Sequence, residues 1–397
     1  MGGHQVHLLE GGRELFPAMV AAIDAAQQRV WLETYILQAA GQPQVLVDAL
    51  ARAARRGLEV RVLVDGVGTG WLSPSVAATW SAAGVEWEVF APLGRLGLLV
   101  PSRWRRLHRK LCVVDETWVF CGGINVLDDG LDVGGEVLEA PRLDYAVRIQ
   151  GPLLSDVVES MRRAWWRSAA TQRLRDSAWA AALQAVRDGQ SKAQRKVKPQ
   201  TAAPQSPVLA TFVERDNLSH RTQIERAYLR AIRHAQREVI LAHAYFVPGR
   251  RLRRALRQAV QRGVRVRVVL QSRYENFMQF HAARPVHHEL LRHGVALYAY
   301  LPSALHAKVA VVDGAWATVG SSNLDPLSLL LAREANVVVH DADFARQLQQ
   351  RLEGVLASDC EPLDAQRLAQ RPWAERWRDG LAYLLMRMAL WLTGRRY

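Results

Sequence analysis

Cysteine is scarce in this chain of 397 residues: Cys112, Cys121 and Cys360 are the only three. So few thiols, without metal-ligand spacing, exclude a disulfide-stapled scaffold and a cysteine-based metal site. Cys112 and Cys121 read instead as small core residues. Long apolar runs are absent as well. No segment offers the about 20 apolar residues that a bilayer-spanning helix needs, and the start, Met1-Gly2-Gly3-His4-Gln5, lacks the basic and apolar regions of a signal peptide. Val6 spoils a myristoylation motif. The expected exposure is cytosolic.

Acidic residues are in deficit, 38 against 52 basic ones, for a net charge of +14. That surplus implies an anionic partner, nucleic acid or anionic lipid, which charge alone does not separate. Acid is missing altogether from Gln190 to Pro207, which holds Lys192, Arg195, Lys196, Lys198 and three prolines. We read 189–208 as a flexible basic linker. Apolar content of 49 % predicts ordinary folded domains on either side.

What is present is a pattern that occurs twice. His108-Arg109-Lys110 is followed by Asp115 and by Gly122-Gly123-Ile124-Asn125; His306-Ala307-Lys308 is followed by Asp313 and by Gly320-Ser321-Ser322-Asn323. Both copies sit in apolar runs that read as buried strands. Residues i and i+2 of a strand share a side, so each His should share a pocket with its Lys while Arg109 and Ala307 point away. Imidazole can attack phosphorus or move a proton. The ammonium of Lys110 or Lys308 and the amide of Asn125 or Asn323 suit phosphate oxygens. Two core strands with coincidental polar residues are the bland alternative, but burying two His-Lys pairs without purpose would be costly. The pattern suggests one active site made of two half-sites.

The duplication extends outside the motifs. Val30 to Ile36 parallels Val239 to Phe246, with Tyr35 set against Tyr245; Ala51 to Val64 parallels Arg257 to Leu270; Ala83 to Trp87 parallels His293 to Leu297. Each half reads as strand, Gly-closed helix, strand, Gly-closed helix, strand, motif strand. The expected fold class is α/β, two tandem half-domains, each a mostly parallel sheet covered by helices. The halves span 1–188 and 209–362, and 363–397 forms a C-terminal tail.

At these residues the chain resembles the phospholipase D superfamily, and within it the bacterial cardiolipin synthases of the short, B type. Glu33-Thr34-Tyr35-Ile36, Asp65-Gly66-Val67-Gly68, Tyr245-Phe246-Val247-Pro248 and Gly320-Ser321-Ser322-Asn323-Leu324-Asp325 carry that narrower likeness. The resemblance implies halves packed with pseudo-twofold symmetry and a two-step phosphodiester exchange through a covalent phosphohistidine, with no metal or other cofactor. It implies joining of two phosphatidylglycerols to give cardiolipin and glycerol. It makes His108 the nucleophile and His306 the acid/base, with Lys110, Lys308, Asn125 and Asn323 on the phosphate, and it counts Asp115 and Asp313 with the catalytic signature. Strand parity argues otherwise for these two, since they lie five residues past each Lys and should brace loops. A carboxylate is expected on the second nitrogen of each His: Asp144 for His108, Glu334 for His306.

Three features tilt the partner towards a membrane surface and away from nucleic acid. Pro92 to Arg106 holds Leu96, Leu98-Leu99-Val100 and Arg103-Trp104-Arg105-Arg106; Leu381 to Leu392 is apolar and flanked by arginines; Met161 to Arg167 contains Trp165-Trp166. Such segments suit a headgroup interface, although each could equally pack on its own protein. The expectation is a peripheral protein on the cytoplasmic face of the inner membrane. A phospholipase D-type hydrolase or a nuclease would use the same motif residues, and phosphatidylethanolamine stays open as a donor.

Overall fold

The computed structural model describes residues 2–93, 97, 105–175, 208–216, 220–273, 277–325 and 332–392. Apart from Val208, the expected linker at 189–208 lies outside them, as do Leu96, Leu98 to Val100, Arg103 and Trp104 of the apolar loop.

The first half runs β1 (Gln5–Glu10), α1 (Gly11–Ala25), β2 (Arg29–Thr34), α2 (Gln44–Arg55), β3 (Glu59–Asp65), α3 (Pro74–Ala83), β4 (Glu86–Phe90), β5 (Arg106–Leu107), β6 (Lys110–Val114), β7 (Trp118–Gly122), β8 (Tyr145–Gln150) and α4 (Leu154–Arg175). The second runs β9 (Leu209–Arg215), α5 (Gln223–His234), β10 (Glu238–His243), α6 (Arg250–Gln261), β11 (Arg265–Gln271), α7 (Phe277–Arg292), β12 (Ala296–Tyr300), β13 (Lys308–Val312), β14 (Trp316–Gly320), β15 (Ala332–His340), α8 (Ala342–Ser358) and β16 (Cys360–Pro362). Two further helices close the chain, α9 (Ala365–Ala369) and α10 (Trp373–Leu392).

The two sheets have the same plan. One is ordered β1-β8-β7-β6-β2-β3-β4; the other repeats it as β9-β15-β14-β13-β10-β11-β12, with β16 added beyond β12 and β5 against β15. The expected mostly parallel sheets are in fact mixed. Among the described residues only β2-β3-β4, β10-β11-β12 and the short β5 against β15 are parallel. The motif strands run antiparallel to β2 and β10 and continue through tight turns into β7 and β14. Helical connections enforce parallel pairing, and there is no helix between these last strands. The expected Gly-closed helices are present: Gly57, Gly84, Gly263 and Gly294, all left-handed, follow α2, α3, α6 and α7.

Leu111, Val113, Val119 and Val147 of the first sheet join Val309, Val311, Val319 and Val337 of the second in one buried cluster, so the sheets face each other. Burying each such side chain contributes about 1.5–3 kcal/mol. Separate clusters lie under the outer helices of each half. The side chains of Trp165 and Trp166 do not form a headgroup surface. Trp165 is buried, and the Arg61 guanidinium lies 5.3 Å from the ring centres of both.

Close packing of β7 on β8 depends on Gly122, where a Cβ would lie 2.5 Å from the Ala146 Cα and 2.6 Å from the Tyr145 carbonyl oxygen. Gly122→Ala should therefore cost about 1–3 kcal/mol in chemical denaturation. An unchanged denaturation midpoint would show slack in this packing.

Candidate active site

Each motif histidine is held by the opposite half of the molecule. The backbone N–H of His108 donates to the carbonyl of Arg333 (3.0 Å), and that of His306 to the carbonyl of Leu143 (2.9 Å). β5 pairs with the start of β15, and Leu305 bridges to Leu143. The two segments cross reciprocally, bringing the motifs together at one end of the facing sheets.

The carboxylates follow the crossing. His108 Nδ1 lies 3.0 Å from Glu334 Oε1 and 3.1 Å from Oε2; His306 Nδ1 lies 2.6 Å from Asp144 Oδ2. The sequence expectation named the right carboxylates and paired them with the wrong histidines. Sheet order is the reason. Asp144 enters β8 and Glu334 lies on β15, each two strands from the motif strand of its own half, about 10 Å away. Across the interface each is the next residue after the carbonyl that binds the histidine backbone. A carboxylate only accepts when it is ionised, and a histidine facing one then carries its proton on Nδ1 and leaves Nε2 for substrate.

The two dyads are not identical. Gly123 and Ser321 are equivalent, since their N–H groups donate to Tyr145 and Ala335. A Cβ on Gly123 would sit 2.2 Å from Asp144 Oδ1, whereas Ser321 Oγ donates to Glu334 Oε2 at 2.5 Å. Burial alone would raise Glu334, yet His108, Lys110 and the Ser321 bond hold its pKa below the usual carboxylate range. Asp144 lacks that serine. Burial pushes it up to about 7, against the pull of Lys308 and Lys110. Burial, with both lysines, holds His306 well below the ordinary histidine value, and burial lowers His108 as well.

Both lysines are buried and turn back to the carbonyl of their own histidine; Lys110 Nζ donates to His108 at 2.6 Å, and Lys308 Nζ donates to His306. An ammonium has three donors, so Lys110 keeps donors for an anion. Asn125 accepts from the N–H of Ile36 (3.2 Å) through its Oδ1, which leaves its amide N–H groups available, and Asn323 is buried at the equivalent place after β14. Arg109 points away as parity predicts, into a buried pair with Glu33 and Ser160. Ala307 also turns from the site, into the shared core.

Asp115 and Asp313 stay out of the site, as their parity predicts and against their place in the resemblance's catalytic set. Each sits in a left-handed turn (φ 53° and 54°), and its carboxylate accepts three successive backbone N–H groups, from Gln27, Gln28 and Arg29 or from Gln236, Arg237 and Glu238. They tie the motif strand to the start of its neighbour. Tyr35 was missed as a site residue. Its ring centre is 4.8 Å from that of His108 and 5.3 Å from Lys110 Nζ. Asp65, also missed, accepts from the N–H of Leu107 beside His108 at 2.7 Å and pairs with Arg106. The Gly123/Ser321 difference between the copies was the available signal for Ser321.

Two repeats of one sheet plan, each completing the other's His-carboxylate dyad, define a phospholipase D-like protein. The family described as "Cardiolipin synthase, PLD-like domain" matches residues 19–152 and 228–356, and the chain belongs to it. It is 38 % identical over 395 residues to cardiolipin synthase B of Salmonella typhimurium, covering 97 % of this chain and 88 % of that one. It is 32 % identical over 367 residues to cardiolipin synthase A of Pseudomonas putida, covering 91 % and 69 %. Among solved structures, the phosphatidylserine synthase of Haemophilus influenzae has the same fold, with a TM-score of 0.66 at 13 % identity over 97 % of this chain and 93 % of that one.

Burial, with Lys308 nearby, pushes Lys110 down to about 7 against the pull of Glu334. Only the protonated lysine attracts an anion. Sulfate, which does not titrate in this range, should therefore bind more weakly as pH rises from 7 to 9, approaching about tenfold per unit. Calorimetry on wild type and Lys110→Met checks this: the wild-type slope should flatten in the variant, and a flat wild-type profile would contradict the assignment.

Proposed function

We propose that the chain is a phosphatidyltransferase that joins two phosphatidylglycerols into cardiolipin and glycerol through a phosphohistidine. The observation that carries this reading is the pair of histidines on facing halves, each tied to a carboxylate at Nδ1 and so free to react at Nε2. A relative of 38 % identity, matched over 88 % of its length, bears the name cardiolipin synthase B and supports the substrate class.

In this reading His108 Nε2 attacks the phosphorus of the donor lipid, and a phosphorus–nitrogen bond forms. The phosphorylated ring keeps its Nδ1 proton and is cationic. The ionised Glu334, reinforced by Ser321, is the better placed of the two carboxylates to stabilise it, which supports the same His108 assignment that the family resemblance implies. His306 gives a proton to the leaving glycerol oxygen. The negative phosphodiester, lying between Lys110 and Lys308, raises the proton affinity of His306 from its low resting value. His306 then takes the proton of the acceptor hydroxyl, whose oxygen attacks phosphorus and releases His108. Lys110, Lys308, Asn125 and Asn323 hold the equatorial oxygens. With water as acceptor the same residues would hydrolyse the lipid.

We further infer that α10 rests on an anionic membrane surface. Its inner side joins the core through Ala382 and Met386, and its Asp379 binds His281 and Arg371. Its outer side leaves Trp373, Trp377, Leu381, Leu384, Leu385 and Met388 exposed beside Arg376, Arg378 and Arg387. Among the described residues no helix is long and apolar enough to cross a membrane, and an apolar side rimmed by arginines suits the interface. The reading puts the protein peripherally on the cytoplasmic face of the inner membrane.

Vesicles of phosphatidylglycerol test both statements. Floated vesicles should carry the protein with them, and mass analysis should find cardiolipin and glycerol. Phosphatidic acid as the only lipid product would sink the synthase reading. His108→Ala and His306→Ala should each lower turnover by about 10³-fold or more.

A further inference from the structure

The two half-sites differ most at one position beside the histidines. The β2–β6 ladder pairs Val30 with Val114, and the β10–β13 ladder pairs Val239 with Val312, four residues past each motif lysine. Val30 and Val239 are therefore equivalent, and so are Leu37 and Phe246, which bridge to the residues after Asn125 and Asn323. By this register the counterpart of Tyr35 is Ala244, one residue before the Tyr245 that the sequence parallel suggested. The Tyr35 ring covers His108 and is wedged by Gly68, where a Cβ would meet it at 2.8 Å. No ring projects from the corresponding place in the second half.

A cavity of about 250 Å³ opens there instead, bounded by Ala244, Phe246, Leu270, Gln271, Phe280 and Arg284 among others. It abuts the second motif on both sides of His306. The N–H of Ala244 donates to the carbonyl of Ala307 (3.1 Å), and Gln271 Oε1 accepts from the N–H of Leu305 (3.3 Å). The cavity is largely apolar but carries positive charge. The half-buried Arg284 guanidinium lies 4.3 Å from the Phe280 ring centre and has Arg371 and Arg378 as cationic neighbours. Its carboxylate contact, Glu375, stands at 4.0 Å, and Asp379 is engaged by His281 (2.6 Å) and Arg371 (2.9 Å). An arginine so weakly neutralised in an apolar recess suits a phosphate diester attached to lipid.

We propose that this cavity is the acceptor subsite, in which Arg284 holds the phosphate of the second phospholipid and so presents its glycerol hydroxyl to His306. The proposal rests on the synthase reading and adds a direction to a nearly symmetric centre. The acceptor's phosphate lies one glycerol away from the hydroxyl that reacts, which matches a cationic recess next to the proton-accepting histidine. The hydroxyl proton passes to His306 Nε2, the new phosphorus–oxygen bond forms, and the bond to His108 breaks. On the other side the Tyr35 ring occupies the corresponding place beside His108.

Two acceptors separate the roles. Labelled free glycerol, which has no phosphate, exchanges into phosphatidylglycerol through the donor half-reaction alone, whereas cardiolipin formation needs the second lipid. Arg284→Gln should lower cardiolipin formation about tenfold, the loss of one charge-assisted contact, and leave glycerol exchange within about twofold. Arg284→Lys should recover part of the loss. Ala244→Tyr, which rebuilds the ring of the first half, should block cardiolipin formation while exchange continues; thermal melts confirm that all three variants fold. If the two activities fell together in folded variants, or if neither changed, the subsite would be refuted and the synthase reading would stand. A wild-type protein that exchanges glycerol but makes no cardiolipin would overturn the synthase reading and the subsite with it.

Discussion

Two backbone hydrogen bonds, His108 to Arg333 and His306 to Leu143, set the arrangement on which the site depends. Each pins a motif strand of one half to the carboxylate-bearing strand of the other. Neither half could form a His-carboxylate dyad alone, because its own carboxylate lies two strands away. The shared core of Val and Leu side chains between the sheets therefore does more than stabilise the fold. It fixes the register in which four separate chain segments converge on one site.

That convergence buries histidines, lysines and carboxylates together, an expensive arrangement unless charges are matched. Glu334 and Asp144 offset the two lysines in part, and burial sets the remainder. It lowers Lys110 and both histidines and raises Asp144. The protein's own groups thus leave the site short of the negative charge that a phosphodiester would bring. Asp115 and Asp313 contribute at a distance, each collecting three backbone N–H groups at the far end of a motif strand. In the structure their carboxylates hold the strand turn.

Much of this was legible in the sequence, for identifiable reasons. Strand parity separated His108 and Lys110 from Arg109, and five-residue spacing turned Asp115 away from them. Helix-closing glycines marked the repeat. The dyad partners were not legible, because Asp144 and Glu334 can be assigned only once the order β8-β7-β6 is known, and antiparallel turns leave a weaker signature than helical crossovers. The counterpart of Tyr35 was hidden by a one-residue offset: Tyr245 aligns by type, but the ladders place Ala244 there. For Trp165 and Trp166 a headgroup interface and a place in the core were both open, and the structure packs them around Arg61. The C-terminal helix packs one side on the core and leaves the other exposed.

Imidazole nitrogen NMR of the folded protein measures the crossed pairing directly. Glu334→Gln should shift the Nδ1 resonance and titration of His108 and leave those of His306 in place, and Asp144→Asn should do the reverse. Perturbation of His306 by Glu334→Gln, with His108 unmoved, would contradict the account of one site built by two halves that complete each other.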